Sequence, residues 1–273
     1  MMARSYSVRE DLNRVLRGAG SSSRITRMDM ELTERCNNDC IHCCINRPAN
    51  DQRARAREMS TEQVTDILDQ AAALGCLEVR ITGGEPLLRP DMRDIYLYAR
   101  RLGMKVLLFT NARLITPELA DLFSRVPPLE PIEVTVYGMR KESCEAVTRS
   151  PGSFSQFRRG VSLLQERGVP FIVKSVLLPQ TAHEMSELEA WAATIPRMTR
   201  RPSITTFLDL RSRRDDPYKN LLIESLRPSP EDALLVLTRD ETRYRQDMNS
   251  LAARFMGPPG GALFTCGAAH GVC

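Results

Sequence analysis

Histidine, lysine and tryptophan are the scarce residues of this chain, and each scarcity narrows what it can do. The three histidines, His42, His183 and His270, are far apart in sequence, and nothing arranges a Ser-His-Asp set around them. Only four of the 38 basic residues are lysine, and aromatic residues make up 5%. The net charge of +4 therefore lacks the stacking side chains that a single-strand nucleic-acid binder interleaves with its cations. The arginines at 53, 55 and 57 and those between 197 and 214 read as solvated surface, and nucleic acid is not an expected partner. No run reaches the roughly 18 to 20 apolar residues of a membrane-spanning helix. Met1 to Gly20 carries charges but no apolar stretch, which argues against a secretory signal, so a cytoplasmic protein without membrane partners is expected. Gly18-Ala19-Gly20 has neither a third glycine nor a preceding strand, which rejects a dinucleotide site.

Cysteine, by contrast, is well represented. Eight cysteines in 273 residues fit a reducing compartment better than a disulfide framework, and Cys76 and Cys144 read as buried thiols without a role. Three others form the spacing Cys36-Asn37-Asn38-Asp39-Cys40-Ile41-His42-Cys43. Iron-sulfur clusters are held by four thiolates, so a three-cysteine loop suggests a [4Fe-4S] cluster with one iron open to a ligand that is not protein. The competing reading is structural zinc, completed by His42 or Cys44. A second motif, Ile81-Thr82-Gly83-Gly84-Glu85-Pro86, follows the apolar run from Leu77 to Ile81. Paired glycines at a strand end let backbone approach a ligand closely, and Glu85 can accept from an ammonium group. Alone, the motif also suits an ordinary strand-to-loop turn.

The two motifs together, one helix and one strand apart, resemble the radical S-adenosylmethionine (SAM) superfamily. That resemblance implies that Cys36, Cys40 and Cys43 ligate three irons of a [4Fe-4S] cluster whose fourth iron takes the amino and carboxylate groups of SAM. It implies that Gly83, Gly84 and Glu85 hold the SAM ammonium, with Pro86 fixing the turn. In the branch it most resembles, a Ser or Thr at the fourth strand end and a later arginine contact the SAM carboxylate or ribose, here Thr135 and Arg149. An arginine fork suits a carboxylate, and an exposed salt bridge is the alternative for Arg149. Asn111 is a candidate for the ribose or the substrate, or a plain turn asparagine. Lys174 is a weaker candidate, His42 reads as packing, and Cys44 stands where related sequences often carry tyrosine. The reduced cluster of the family splits SAM into methionine and a 5′-deoxyadenosyl radical that abstracts a substrate hydrogen, so no protein acid or base is named.

Periodicity places these motifs. Arg27 to Thr33 alternates as a strand. Ser60-Thr61-Glu62-Gln63 opens a helix through a capping box, and Met92 to Leu102 forms another, with Gly103 at its end. Lys105 to Thr110 is a strand, Thr116-Pro117 starts a helix, and Ile132 to Tyr137 is the fourth strand. Ser153 to Arg167 is a helix, Val169 to Leu178 a strand, 184 to 194 a helix, and Ile204 to Leu210 the sixth strand. Strands alternating with helices imply an α/β fold with a parallel sheet. The expectation is a (β/α)6 partial TIM-like barrel over residues 24–215, resembling the radical SAM core, after an amphipathic arm at 1–23. Ligands of such folds sit at the carboxyl ends of the strands, where the cysteine loop, GGEP, Thr110-Asn111 and Tyr137-Gly138 all fall.

Residues 216–273 read as a short helical appendage, one long helix from Ser229-Pro230 followed by Cys266-Gly267-Ala268-Ala269 and Cys273. This resembles the opening of a SPASM extension, which holds auxiliary [4Fe-4S] clusters in peptide-modifying members. Two thiols do not fill a cluster, so an auxiliary cluster is expected only in a longer parent, and free tail thiols are the alternative. The expected partners are a peptide or small-molecule substrate and a reducing electron donor. The competing functions are radical chemistry on a small metabolite or in cofactor assembly, and a zinc-stabilised, non-catalytic α/β binding module.

Overall fold

A computed structural model describes residues 25–196, 198–199, 201–211 and 216–255. The arm at 1–23, Cys266 and Cys273 lie outside the described residues. Six strands, β1 (Arg27–Glu31), β2 (Glu78–Thr82), β3 (Lys105–Thr110), β4 (Ile132–Val136), β5 (Phe171–Val176) and β6 (Ser203–Thr205), form one sheet in chain order, every neighbouring pair parallel. The expected parallel α/β half-barrel is what forms. Alternation along each strand decides its faces. Val79, Ile81, Val106, Leu108, Val134 and Val173 are buried on the helix-covered face, whereas Arg80, Phe109, Glu133, Thr135 and Lys174 line the other, half-buried face.

The helices are α1 (Thr61–Ala73), α2 (Met92–Arg101), α3 (Pro117–Arg125), α4 (Lys141–Thr148), α5 (Ser153–Glu166) and α6 (Met185–Ala192). The Ser60 hydroxyl accepts from Gln63 N while the Gln63 side chain accepts from Ser60 N, so α1 begins with the expected capping box, and Gly103 follows α2 at φ +80°. Val64, Leu68, Ile95, Tyr96, Phe123 and Leu164 carry these helices into the core; burying each large apolar side chain contributes about 1.5–3 kcal/mol. Among the described residues, no helix is long and apolar enough to cross a membrane.

Several elements differ from expectation, helix α4 among them, which lies between an expected strand and an expected helix with no reading of its own. The sixth strand covers only 203–205, because its pairing ends where β5 ends, at Val176 opposite Thr205. The long C-terminal helix is two, α8 (Pro230–Thr238) and α9 (Glu241–Phe255), since Asp240 accepts from Arg243 N and starts a new helix. An unexpected helix, α7 (Pro217–Ser225), is capped by Asp216. It adds Ile223 to a second, smaller apolar cluster with Ile41, Val147, Leu178, Leu208 and Leu226. That cluster lies under the cysteine loop.

Candidate active site

The cysteine loop leaves β1 alongside the glycine motif that leaves β2. Gly84 N donates to Thr33 O at 2.6 Å and Glu85 N to Arg35 O at 2.8 Å, extending the sheet pairing of β1 and β2 past their ends. This approach needs glycine: a Cβ on Gly84 would lie 2.2 Å from Arg35 O. Arg35 is itself fixed, its guanidinium paired with Glu58 at 2.7 Å and donating to Ala49 O at 2.9 Å. Residues Arg35–Cys36 then pair with Arg47–Pro48, closing the loop that carries the three cysteines.

Cys36, Cys40 and Cys43 line one cavity of about 130 Å³, together with Gly83, Gly84, Thr110, Asn111, Thr135 and Tyr137. Cys36 Sγ receives Asn38 N–H at 3.4 Å and lies 3.8 Å from Asn111 Nδ2, and Tyr137 hydrogen-bonds to Cys40. Burial pushes the Cys36 thiol up to about 12 and raises Cys40 well above the usual thiol range, and metal ligation replaces such protons. Among the described residues, no set of three or more His, Cys, Asp or Glu side chains converges on a single-ion site. Three thiols around one cavity, with N–H donors aimed at sulfur, are the donor set and surroundings that an iron-sulfur cluster takes. The residues present fit that group.

Glu85 takes a different place from the cavity wall. It is buried behind it, accepting from Thr110 Oγ1 at 2.8 Å, Asn111 N at 2.8 Å and Leu87 N at 3.2 Å. Burial raises its carboxyl to about 7 despite these donors. Pro86, also buried, starts the 3-10 turn that follows. Arg149 ends α4 in a left-handed conformation at φ +48° and pairs with Asp39 at 2.7 Å, off the cavity. Asn111 lines the cavity and donates to Asn37 Oδ1 at 2.7 Å. Lys174 pairs with Glu133 at 3.3 Å, its Nζ 3.4 Å from the Phe109 ring centroid. His42 packs against Tyr137 with ring centroids 5.7 Å apart, and burial lowers its pKa to about 4, leaving it neutral. Cys44 is half-buried and does not line the cavity.

Several residues of the site were not singled out in the sequence. Phe109 lines the cavity two positions before Asn111, and the period of two along β3 is the signal that marks it as facing the same way. Arg113 is buried beneath the loop and donates to Asn37 O and Asn38 Oδ1 as well as to Gln156. Lys219 of α7 donates to Cys40 O at 2.7 Å. Neither cation has a local signal, because its partner is remote in sequence.

The family model of the Radical SAM superfamily matches residues 30–192. The chain is 30% identical over 157 residues to the AdoMet-dependent heme synthase of Methanosarcina barkeri, covering 58% of this chain and 44% of that protein. It is 32% identical over 167 residues to the mycofactocin maturase MftC of Mycolicibacterium smegmatis, covering 61% and 41% respectively. The chain thus spans less than half the length of these curated relatives. Among solved structures, native anSMEcpe with bound AdoMet and Cp18Cys peptide superposes at a TM-score of 0.54 with 14% identity, over 83% of this chain and 61% of that one.

Proposed function

This chain belongs to the radical SAM superfamily, and from that premise we propose that it is a [4Fe-4S]-dependent enzyme that cleaves SAM reductively and modifies a peptide or protein. The observation that carries the reading is the convergence of the Cys36, Cys40 and Cys43 thiols and the Gly83-Gly84 backbone on one cavity. When bound, the cluster and SAM supply an electron and a hydrogen-abstracting radical. The chain's own residues bind and orient. Three thiolates would hold three irons, Gly83 and Gly84 present bare backbone for the SAM ammonium, and Thr135 and Asn111 offer polar groups to its carboxylate or ribose. Glu85 holds the end of β3 in place behind them. Arg149 would have to leave Asp39 to reach SAM, and Pro86 acts through the turn it starts.

Kinship supports a peptide, and a second cavity leaves room for one. A second cavity of about 710 Å³ borders Glu133, Lys174, Ile204 and Tyr244, and Lys174 contacts Phe109, which lines the first. That volume suits a ligand larger than an amino acid, and mycofactocin maturase is among the relatives. The similarity to a heme synthase favours a second reading, radical chemistry in cofactor assembly. In either case the setting is a reducing, cytoplasmic one with a low-potential electron donor.

The test is 5′-deoxyadenosine release after anaerobic reconstitution with iron and sulfide, comparing the wild-type chain with Cys40→Ala. The expected result is release by the wild type and none by the variant. Bound zinc without acid-labile sulfide would replace this reading with a zinc-stabilised binding module. Stimulation of SAM cleavage by a porphyrin and not by peptides would favour the second reading.

A further inference from the structure

The cysteine loop is held by cations from four separate places in the chain. Arg113, after β3, donates to Asn37 O. Arg149, ending α4, donates to Asp39 O at 3.1 Å. Arg211, after β6, donates to Asn46 O at 3.2 Å and Asn46 Oδ1 at 3.3 Å, and Lys219 of α7 donates to Cys40 O at 2.7 Å. Arg211 and Lys219 both lie beyond the residues that the family model matches, yet both are buried, at 7% and 8% exposure.

Lys219 has the most specific position. The Cys40 carbonyl already accepts Cys43 N–H at 3.2 Å, so Lys219 occupies its second lone pair and braces the turn that joins two of the three thiol ligands. Between them Ile41 inserts into the second apolar cluster against Leu208, Ile223 and Leu226. The nearest carboxylate, Asp39, is 4.0 Å away, 60% exposed and already paired with Arg149 at 2.7 Å. A buried ammonium without a close dedicated counterion is unfavourable unless other negative charge lies nearby. Thiolates carrying a cluster would supply that charge. The potential of an iron-sulfur cluster rises with hydrogen bonds and positive charge around it.

We propose that residues 208–211 and 216–227 clamp the cluster loop, and that Lys219 is the positioning residue, fixing the Cys40–Cys43 turn and favouring the reduced cluster. This rests on the cluster reading above. The test uses the full chain, reconstituted anaerobically without SAM, with its midpoint potential read by EPR-monitored redox titration for wild type, Lys219→Met and Lys219→Arg. The expected result is a roughly tenfold loss of electron affinity in Lys219→Met, about 59 mV lower for a one-electron couple, and a wild-type potential in Lys219→Arg. In the cluster-free chain, hydrogen exchange at the Cys43 amide, which donates to Cys40 O, should quicken several-fold in Lys219→Met while exchange in β3 stays the same. If Lys219→Met does not fold, Lys219→Gln, which loses the charge and keeps an N–H donor, carries the potential measurement. Lys219→Met with full iron and sulfide content and the wild-type potential overturns the inference alone. Unchanged exchange at Cys43 overturns the clamp. A wild-type chain that assembles no cluster overturns the functional reading, and the electrostatic role with it.

Discussion

Replacing Gly84 with alanine tests the geometry of the site at one atom. Its backbone is not in the left-handed region, so alanine meets no conformational objection there; the objection is steric. The new Cβ would lie 2.2 Å from Arg35 O, 2.6 Å from Arg35 C and 2.7 Å from Glu34 O, all backbone atoms. Ordinary contact begins near 3.4 Å, so one chain must retreat by roughly 1 Å from the other. That retreat stretches the 2.6 Å bond from Gly84 N to Thr33 O and the 2.8 Å bond from Glu85 N to Arg35 O past hydrogen-bonding range. Overpacking of this kind costs about 1–3 kcal/mol, and each lost hydrogen bond adds about 1 kcal/mol, so Gly84→Ala should lose about 3–5 kcal/mol. Gly75→Ala is the control, because Gly75 sits at φ +86° with open space around its Cβ position and should lose only the left-handed penalty of about 1–2 kcal/mol. Urea unfolding of both variants at constant m measures the difference. Gly84→Ala should also bind less iron than Gly75→Ala after reconstitution, since Arg35 adjoins Cys36. Equal destabilisation of the two variants, or full iron binding by Gly84→Ala, would refute the reasoning.

Three further predictions use other parts of the site. Glu85, raised to about 7 by burial, holds more protons in the folded chain than in the unfolded one between about pH 4.5 and 7; its contribution therefore falls as pH rises through that window and is flat above it. Against Glu85→Gln, which stays neutral, the wild type should lose about 3 kcal/mol of relative stability between pH 4.5 and 8, measured by urea titrations at each pH; parallel curves would sink the assignment. Arg35→Ala leaves Glu58 without the partner it holds at 2.7 Å and should cost about 3–5 kcal/mol by the same assay. Arg149 pairs with Asp39 across exposed side chains, at 46% and 60% exposure, so removing the pair should cost at most about 1 kcal/mol. Its left-handed backbone at φ +48° further predicts that Arg149→Gly melts above Arg149→Ala, by about 1 kcal/mol of stability.

Local pattern made the barrel legible, and remote contact hid the rest. The capping box of α1, the proline at the first turn of α3 and the alternation of β3 are signals within a few residues, and all three elements stand where the pattern puts them. Helix α4 had no such start: Arg140 precedes it without a side-chain cap. Helix α7 did have one, Asp216-Pro217, hidden beside a run of arginines. The three thiols and two glycines were readable because they sit on short contiguous motifs. The inward turn of Glu85 was not, because its partners Thr110 and Asn111 are on the next strand. Arg113 and Lys219 were beyond reach for the same reason: an isolated cation has no period, and these two act across 76 and 179 residues.

That last separation bears on the order of events during synthesis. A chain emerging from the ribosome presents Cys36, Cys40 and Cys43 early, and the first strand pair, helix and glycine motif soon after. Arg211 and Lys219 emerge only after all six strands, and the small apolar cluster that seats Ile41 waits for Leu226. Contacts this remote form late, after the loop closures between them have been made. A stretch of 179 residues separates Cys40 from Lys219, and until that stretch is made the three cysteines stand on an unfinished backbone, with the six strands formed before the loop takes its final shape. Iron delivered after release meets a finished cradle; iron delivered during synthesis meets three loosely held thiols.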